Sequence, residues 1–82
     1  MKLLVNVYVP SISENYDVLI PESLKIKHVI FLLAEAVEEL SNHVYISSGN
    51  ECLCSMEKNI LLRQNATLEK YGIGNGDHLI MI

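Results

Sequence analysis

Ile26, Val29, Ile30, Leu33, Val37 and Leu40 recur at intervals of three and four residues. That spacing lines up one face of an α-helix over about four turns, and a stripe so apolar must be covered by something. Ser23 stands where an N-cap belongs, although Ile26 occupies the place of the Glu or Gln that a capping box needs. Ser41-Asn42 closes the run. Lys25, Lys27 and His28 lie in the first turn, and Glu35, Glu38 and Glu39 near the end. The helix dipole prefers the reverse, at about 0.3–1 kcal/mol per exposed charge. Either these charges serve a partner, or solvent screening makes the cost tolerable.

The segments around the helix read as the cover. From Leu3 to Val9 the chain alternates, with Leu3, Val5, Val7 and Val9 on one side and Leu4, Asn6 and Tyr8 on the other. This is the period of a strand with one buried face. Pro10 to Asn15 is rich in turn formers, and Tyr16 to Ile20 then forms a hairpin with the first strand, Tyr16, Val18 and Ile20 inward, ended by Pro21. After a loop from Asn42 to Asn50, Glu51 to Ser55 reads as a strand with Leu53 inward. Glu57-Lys58-Asn59 is a turn and Ile60 to Leu62 a short extended piece. Thr67 caps a single turn through Leu68 and Tyr71. Tyr71 is expected as an anchor, its ring buried and its hydroxyl bonded to a nearby loop. Gly72, Gly74, Asn75 and Gly76 supply tight-turn backbone, and Asp77 to Ile82 is the last strand. A right-handed crossover through the helix lays the last strand parallel to the first. The expected architecture is α+β, a β-grasp: a mixed sheet of four to five strands with one helix across one face, residues 1–82 forming one domain.

Composition narrows the function. Six Lys and Arg against ten Asp and Glu leave a net charge of −4, with no basic run to attract a phosphate backbone, so nucleic acid is not an expected partner. Asn6, Tyr8 and Pro10 interrupt the apolar start, and no small-residue cleavage site follows, so no signal peptide is read there. The longest strongly apolar run, Val29 to Ala34, is too short to span a bilayer. Cys52 and Cys54 are too few for a disulfide framework and read as reduced thiols of a cytoplasmic protein. Asn65-Ala66-Thr67 matches a glycosylation sequon, which carries no meaning inside the cell.

No catalytic or metal chemistry is expected. Cys54 and His78 could form a nucleophile and base on the exposed sheet face, but no orienting partner or oxyanion site accompanies them. Cys52, Cys54, His43 and His78 supply enough ligands for a metal without the paired C-x₂-C spacing of a structural zinc site. Four cysteines would be needed for a plant-type iron–sulfur cluster. Gly72-x-Gly74-x-Gly76 opens a strand, not the helix that a nucleotide fingerprint requires. The candidate site is instead a surface. Leu4, Tyr8, Leu19, Cys52, Cys54, Ile80 and Ile82 fall on the sheet face away from the helix, beside Lys2, Asn6, Asp17 and His78. One helix covers only one face, so this apolar set has no intramolecular partner and reads as a protein-binding surface. Phe31, some 140° around the helix from the core stripe, is a second candidate unless the Asn42–Asn50 loop covers it.

Leu68-x-x-Tyr71-x-Ile73-x-x-Gly76-Asp77-x-Leu79 resembles the closing pattern of ubiquitin-like domains. Together with Pro21-x-x-Leu24-x-Ile26-Lys27-x-x-Ile30 and Met56-x-Lys58-x-x-Leu61-Leu62, it resembles the YukD/EsaB family, ubiquitin-like proteins of type VII secretion systems in Gram-positive bacteria. The resemblance spans nearly the whole chain. It departs at Lys25, where the family often has Pro, and in the Asn42–Asn50 loop. It implies a non-enzymatic accessory or regulatory module without cofactor, docking on the cytosolic part of a secretion-system membrane protein or its FtsK-like ATPase. The apolar sheet face would be buried in docking, and the acidic helix residues would help to orient basic partners. In ubiquitin-like domains the usual recognition surface lies around the positions of Cys54 and Ile80. The rival reading is a ubiquitin-like modifier or sulfur carrier whose Gly-Gly tail is missing from this chain, which stops at Ile82. Self-association through an exposed strand edge is also open.

Overall fold

A computed structural model describes residues 1–82. Its elements follow in the order β1 (Lys2–Val9), β2 (Glu14–Pro21), α1 (Ile26–Leu40), β3 (Leu53–Ser55), β4 (Ile60–Leu61) and β5 (His78–Met81). In space the sheet runs β2-β1-β5-β3-β4. β1 pairs antiparallel with β2 and parallel with β5, and β3 pairs antiparallel with both β5 and β4. This is the β-grasp that the alternation and the crossover rule predict. No helix is long and apolar enough to cross a membrane.

The inward set is the one that the strand period marks. Leu3, Val5, Val7 and Val9 of β1 are buried with Ile20, Leu53, Leu79 and Met81 against Ile26, Val29, Ile30, Leu33, Ala34 and Val37 of α1. Each such side chain is worth about 1.5–3 kcal/mol in removal of apolar surface from water. Tyr16 and Val18 are half-buried at the edge of this cluster. Leu62, Leu68 and Ile73, from the chain between β4 and β5, close its remaining side. Tyr71 is anchored but only partly buried: it packs against the core, and the Arg63 N–H donates to its hydroxyl at 3.0 Å. Thr67 Oγ1 accepts the Lys70 N–H at 3.2 Å, which caps the turn before it.

The helix ends differ from expectation for identifiable reasons. The N-cap is Lys25, not Ser23, and no side chain caps it. Lys25 forms an isolated β-bridge with Thr67, and the chain beside it supplies the acceptors. The Ile26 N–H donates to the Ala66 carbonyl at 2.8 Å and the Lys27 N–H to the Gln64 carbonyl at 2.9 Å. Main chain distant in sequence thus satisfies donors that a serine normally serves. At the other end Leu40 is 63% exposed, not part of the core stripe. Leu40 lies instead beside an open hollow that it lines with Ile12, Tyr16 and Val44. Ala34 joins the buried face instead. Ser41 ends the helix, with Asn42 and His43 both at positive φ.

Strand boundaries move as well. Pro10–Ile12 wind one 3₁₀ turn and Ser13 reverses the chain at φ 53°, so pairing resumes at Glu14 opposite Val9 rather than at Tyr16. β3 begins at Leu53 and β5 at His78, each later than Glu51 and Asp77, although Cys52 and Ile82 exchange backbone hydrogen bonds at 2.6 and 2.9 Å.

Candidate interaction surface

Strand pairing decides which outer-face side chains are neighbours. Tyr8 lies opposite Ile80, Ile80 opposite Cys54, and Cys54 opposite Leu61, so these four form one row across β1, β5, β3 and β4. Cys52 and Ile82, bonded to each other through their main chains, extend the row by one step. Opposed residues in paired strands point to the same side, and the alternate residues Leu53, Leu79 and Met81 are buried beneath the helix. Leu61 belongs to this surface and is exposed, yet sequence reasoning passed over it. Leu62, buried beside it, was the available signal, since an inward Leu62 makes Leu61 outward.

Leu4 and Leu19 sit apart from that row. They face each other across β1 and β2, Leu4 about half exposed and Leu19 largely so. A polar band separates them from Tyr8 and Ile80: Asn6 lies opposite both Asp17 and His78. The Asn6 amide donates to Asp17 Oδ1 at 3.2 Å. His78 Nδ1 lies 2.7 Å from Glu57 Oε2, and its backbone N–H donates to the same carboxylate. A carboxylate only accepts, so Nδ1 carries the proton. The hydrogen bonds from the His78 ring and backbone hold the Glu57 carboxyl below the usual carboxylate range. The seven expected positions therefore form two apolar areas rather than one. Tyr8, Cys52, Cys54, Ile80 and Ile82 gather with Leu61, and the pair Leu4 and Leu19 lies beyond the polar band.

The Cys54 thiol shows no activation. Both cysteines are free and half-buried. Burial, then the neighbouring Cys52, pushes the Cys54 thiol up, away from thiolate. No hydrogen bond joins Cys54 to His78, whose Nδ1 is engaged by Glu57. No three His, Cys, Asp or Glu side chains gather to hold a metal ion.

Phe31 is 62% exposed, so the Asn42–Asn50 loop does not cover it. The loop stands beside it instead, bordering a hollow lined by Lys27, Phe31, Glu35, Ser47, Gly49 and Gln64. Two carboxylates pin the loop there. Glu38 Oε1 accepts the Ser47 N–H at 2.9 Å, and Glu51 Oε2 accepts the Tyr45 hydroxyl at 2.7 Å and the Ser48 N–H at 2.9 Å. Glu38 thus has a structural task that the dipole argument did not reveal. Glu51 is only 5% exposed. Burial alone would raise its pKa, but the hydrogen bonds from Tyr45, Ser48 and Ser47 outweigh burial and hold it low. Burial and the facing Glu51 carboxylate push the Tyr45 phenol well above its usual range. A lone tyrosine in a polar loop gave no periodic signal of this pair.

On the sheet's outer side, then, is an apolar row flanked by a polar band, carried by a fold that defines the chain as a ubiquitin-like β-grasp protein. Residues 4–81 match the family model described as "WXG100 protein secretion system (Wss), protein YukD". The chain belongs to the YukD family. No curated protein sequence matches it. Among solved structures it is similar to the EccD5 ubiquitin-like domain from Mycobacterium xenopi, at TM-score 0.73 and 16% identity, over 100% of this chain and 93% of that one. It is also similar to the UBL domain of Plasmodium falciparum Dsk2, at TM-score 0.72 and 21% identity, over 100% of both chains. Caldiarchaeum subterraneum ubiquitin is a third, at TM-score 0.71 and 14% identity, over 100% of this chain and 92% of that one. At these identities the likeness is one of fold.

Proposed function

We propose that this chain is a non-enzymatic protein-interaction module, one ubiquitin-like domain over residues 1–82. It acts in the bacterial cytoplasm as an accessory or regulatory component of a WXG100 (type VII) secretion machine. Its partner is the cytosolic part of a membrane protein of that machine or the FtsK-like ATPase. Membership of the YukD family supports the setting, and the fold shared with a ubiquitin-like domain such as that of EccD5 supports the module.

The observation that carries the reading is the row Tyr8, Ile80, Cys54 and Leu61 with Cys52 and Ile82 beside it, an apolar surface on the side of the sheet that the helix leaves bare. Binding buries this row, Ile80 lying near its centre, where truncation of an anchor costs most. The rim of Asn6, Asp17 and His78 limits the orientations a partner can take.

The test is affinity capture from the native host with two baits, the wild-type domain and Ile80→Asp, whose fold is verified by circular dichroism. Secretion-machine components, identified by mass spectrometry, are expected on the wild type and not on the folded variant. The same components on both baits would move the interface away from the sheet face, toward Phe31. Their absence from both would remove the assignment to the secretion machine.

A further inference from the structure

The two edges of the sheet are unequal. β4 is two residues long, too short to template another strand, whereas β2 offers an edge of eight residues. Long edges in soluble proteins are ordinarily blunted by lysine, an internal proline or a bulge. β2 carries the carboxylates Glu14 and Asp17 but no Lys or Arg, its register with β1 is unbroken over eight pairs, and its one proline comes at the end. Beside this edge, between β2 and α1, runs a groove of about 280 Å³ lined by Val18, Ile20, Pro21, Val29, Leu32 and Ala36 among others. Leu32 is half exposed on its rim.

The surrounding charge selects an occupant. At Leu32 and Ala36 the groove meets a hollow lined by Glu35, Glu38 and Glu39 with His43. Glu38 is engaged by the Ser47 N–H, but Glu35 and Glu39 are in no ion pair, the only such pair in the chain being His78 with Glu57. Glu14, at the start of β2, lies by the neighbouring hollow at Leu40. One end of an apolar, hydrogen-bond-hungry edge is therefore acidic. A second copy fits poorly. Two β2 edges pairing about a two-fold axis at Asp17 set Asp17 against its twin, and about one at Val18 set Glu14 of each copy against Glu22 of the other, between chains each of net charge −4.

We propose that β2 and the β2–α1 groove bind an extended partner peptide as a sixth strand. Its alternate side chains are apolar and enter the groove, and Lys or Arg follows at the end nearest Glu35 and Glu39. Main-chain hydrogen bonds supply affinity and the groove and carboxylates supply selection, as in other strand-addition complexes. The groove takes in Leu19 but none of Tyr8, Cys54, Leu61 and Ile80, so the two readings fail independently.

The probe is a fluorescein-labelled peptide of alternating Val and Thr ending in Arg-Arg, titrated into the full chain by anisotropy, with amide shifts recorded on ¹⁵N-labelled protein. Saturable binding is expected, with the largest shifts in residues 14–21. A Glu-Glu ending or N-methylation of the Val amides should each weaken binding by about tenfold or more. Leu32→Glu should do the same while remaining folded, and Ile80→Asp should change nothing. Glu35→Lys with Glu39→Lys should invert the preference between the Arg-Arg and Glu-Glu endings. Equal affinity for the two endings, shifts confined to Tyr8, Cys54 and Ile80, or no saturation by about 1 mM would overturn the proposal. So would concentration-dependent shifts of the β2 amides without peptide, which would give the edge to a second copy.

Discussion

Adjacent residues of β5 belong to different worlds. Leu79 is fully buried under α1, whereas Ile80 lies on the outer face between Tyr8 and Cys54. The same contrast runs through β1, where Leu3, Val5, Val7 and Val9 are buried and Leu4 is about half exposed. Both sets sit on one hydrogen-bonded ladder, so their difference owes nothing to backbone pairing. It follows from one helix covering one side of a surface whose side chains alternate. A small protein can thus devote one face of a strand to stability and leave the other free to meet a partner.

That contrast can be broken by experiment. Leu79→Ala should cost about 2–5 kcal/mol, read as a lower urea midpoint with little change in slope. Ile80→Asp, one residue on, should cost about 1 kcal/mol or less while abolishing partner capture. Comparable losses for the two would show that the outer face also holds the fold together.

Tyr45→Phe sits between these extremes. It leaves the Glu51 carboxylate buried without its hydroxyl donor, and about 1–3 kcal/mol of stability should disappear in the same urea assay.

The sign of the pH effect follows from the same pair. Glu51 has a folded-state pKa below its unfolded value, so its contribution is full above the unfolded carboxylate pKa of ~4.3. It is lost as pH falls from there through the lowered folded value. Tyr45 is shifted upward, so its contribution is present below the usual phenol pKa of ~10 and is lost as pH rises beyond it. Urea midpoints measured across pH should fall on the acid side, and less so in Tyr45→Phe, which holds Glu51 down less strongly. A variant that matches the wild type in acid would show that the hydroxyl does not lower the Glu51 pKa.

The smallest effect is expected at Cys54. With its thiol pushed up, it should react with iodoacetamide at pH 8 more slowly than a peptide cysteine does. A faster rate would mark an activated thiol and reopen a chemical role for the outer face.

The parts of the fold legible in the sequence are those written as a period. The alternation of β1 and the helical stripe named most of the core, and the crossover rule placed β5 beside β1. What could not be read depends on chain that meets from far apart. Ser23 lost the N-cap to carbonyls of Gln64 and Ala66, and Leu40 is left exposed beside the open hollow at Ile12, Tyr16 and Val44. The outer face was legible as a set but not as a layout. Only the register shows that Asn6, Asp17 and His78 part Leu4 and Leu19 from Ile80. The Tyr45–Glu51 pair joins two loop residues that no periodicity connects.

β5, the last strand in sequence, is the middle strand of the sheet, paired to β1 on one side and β3 on the other. Until it is in place β1 with β2 and β3 with β4 are two unconnected hairpins, each with an open inner edge, and α1 has only half a floor. Joining the ends of the chain is therefore a late and non-local event, slowed by the loop that must be closed. A ribosome emitting this protein holds back the keystone until the helix and the other four strands have emerged, and a chain caught before that moment displays two sticky edges to its surroundings.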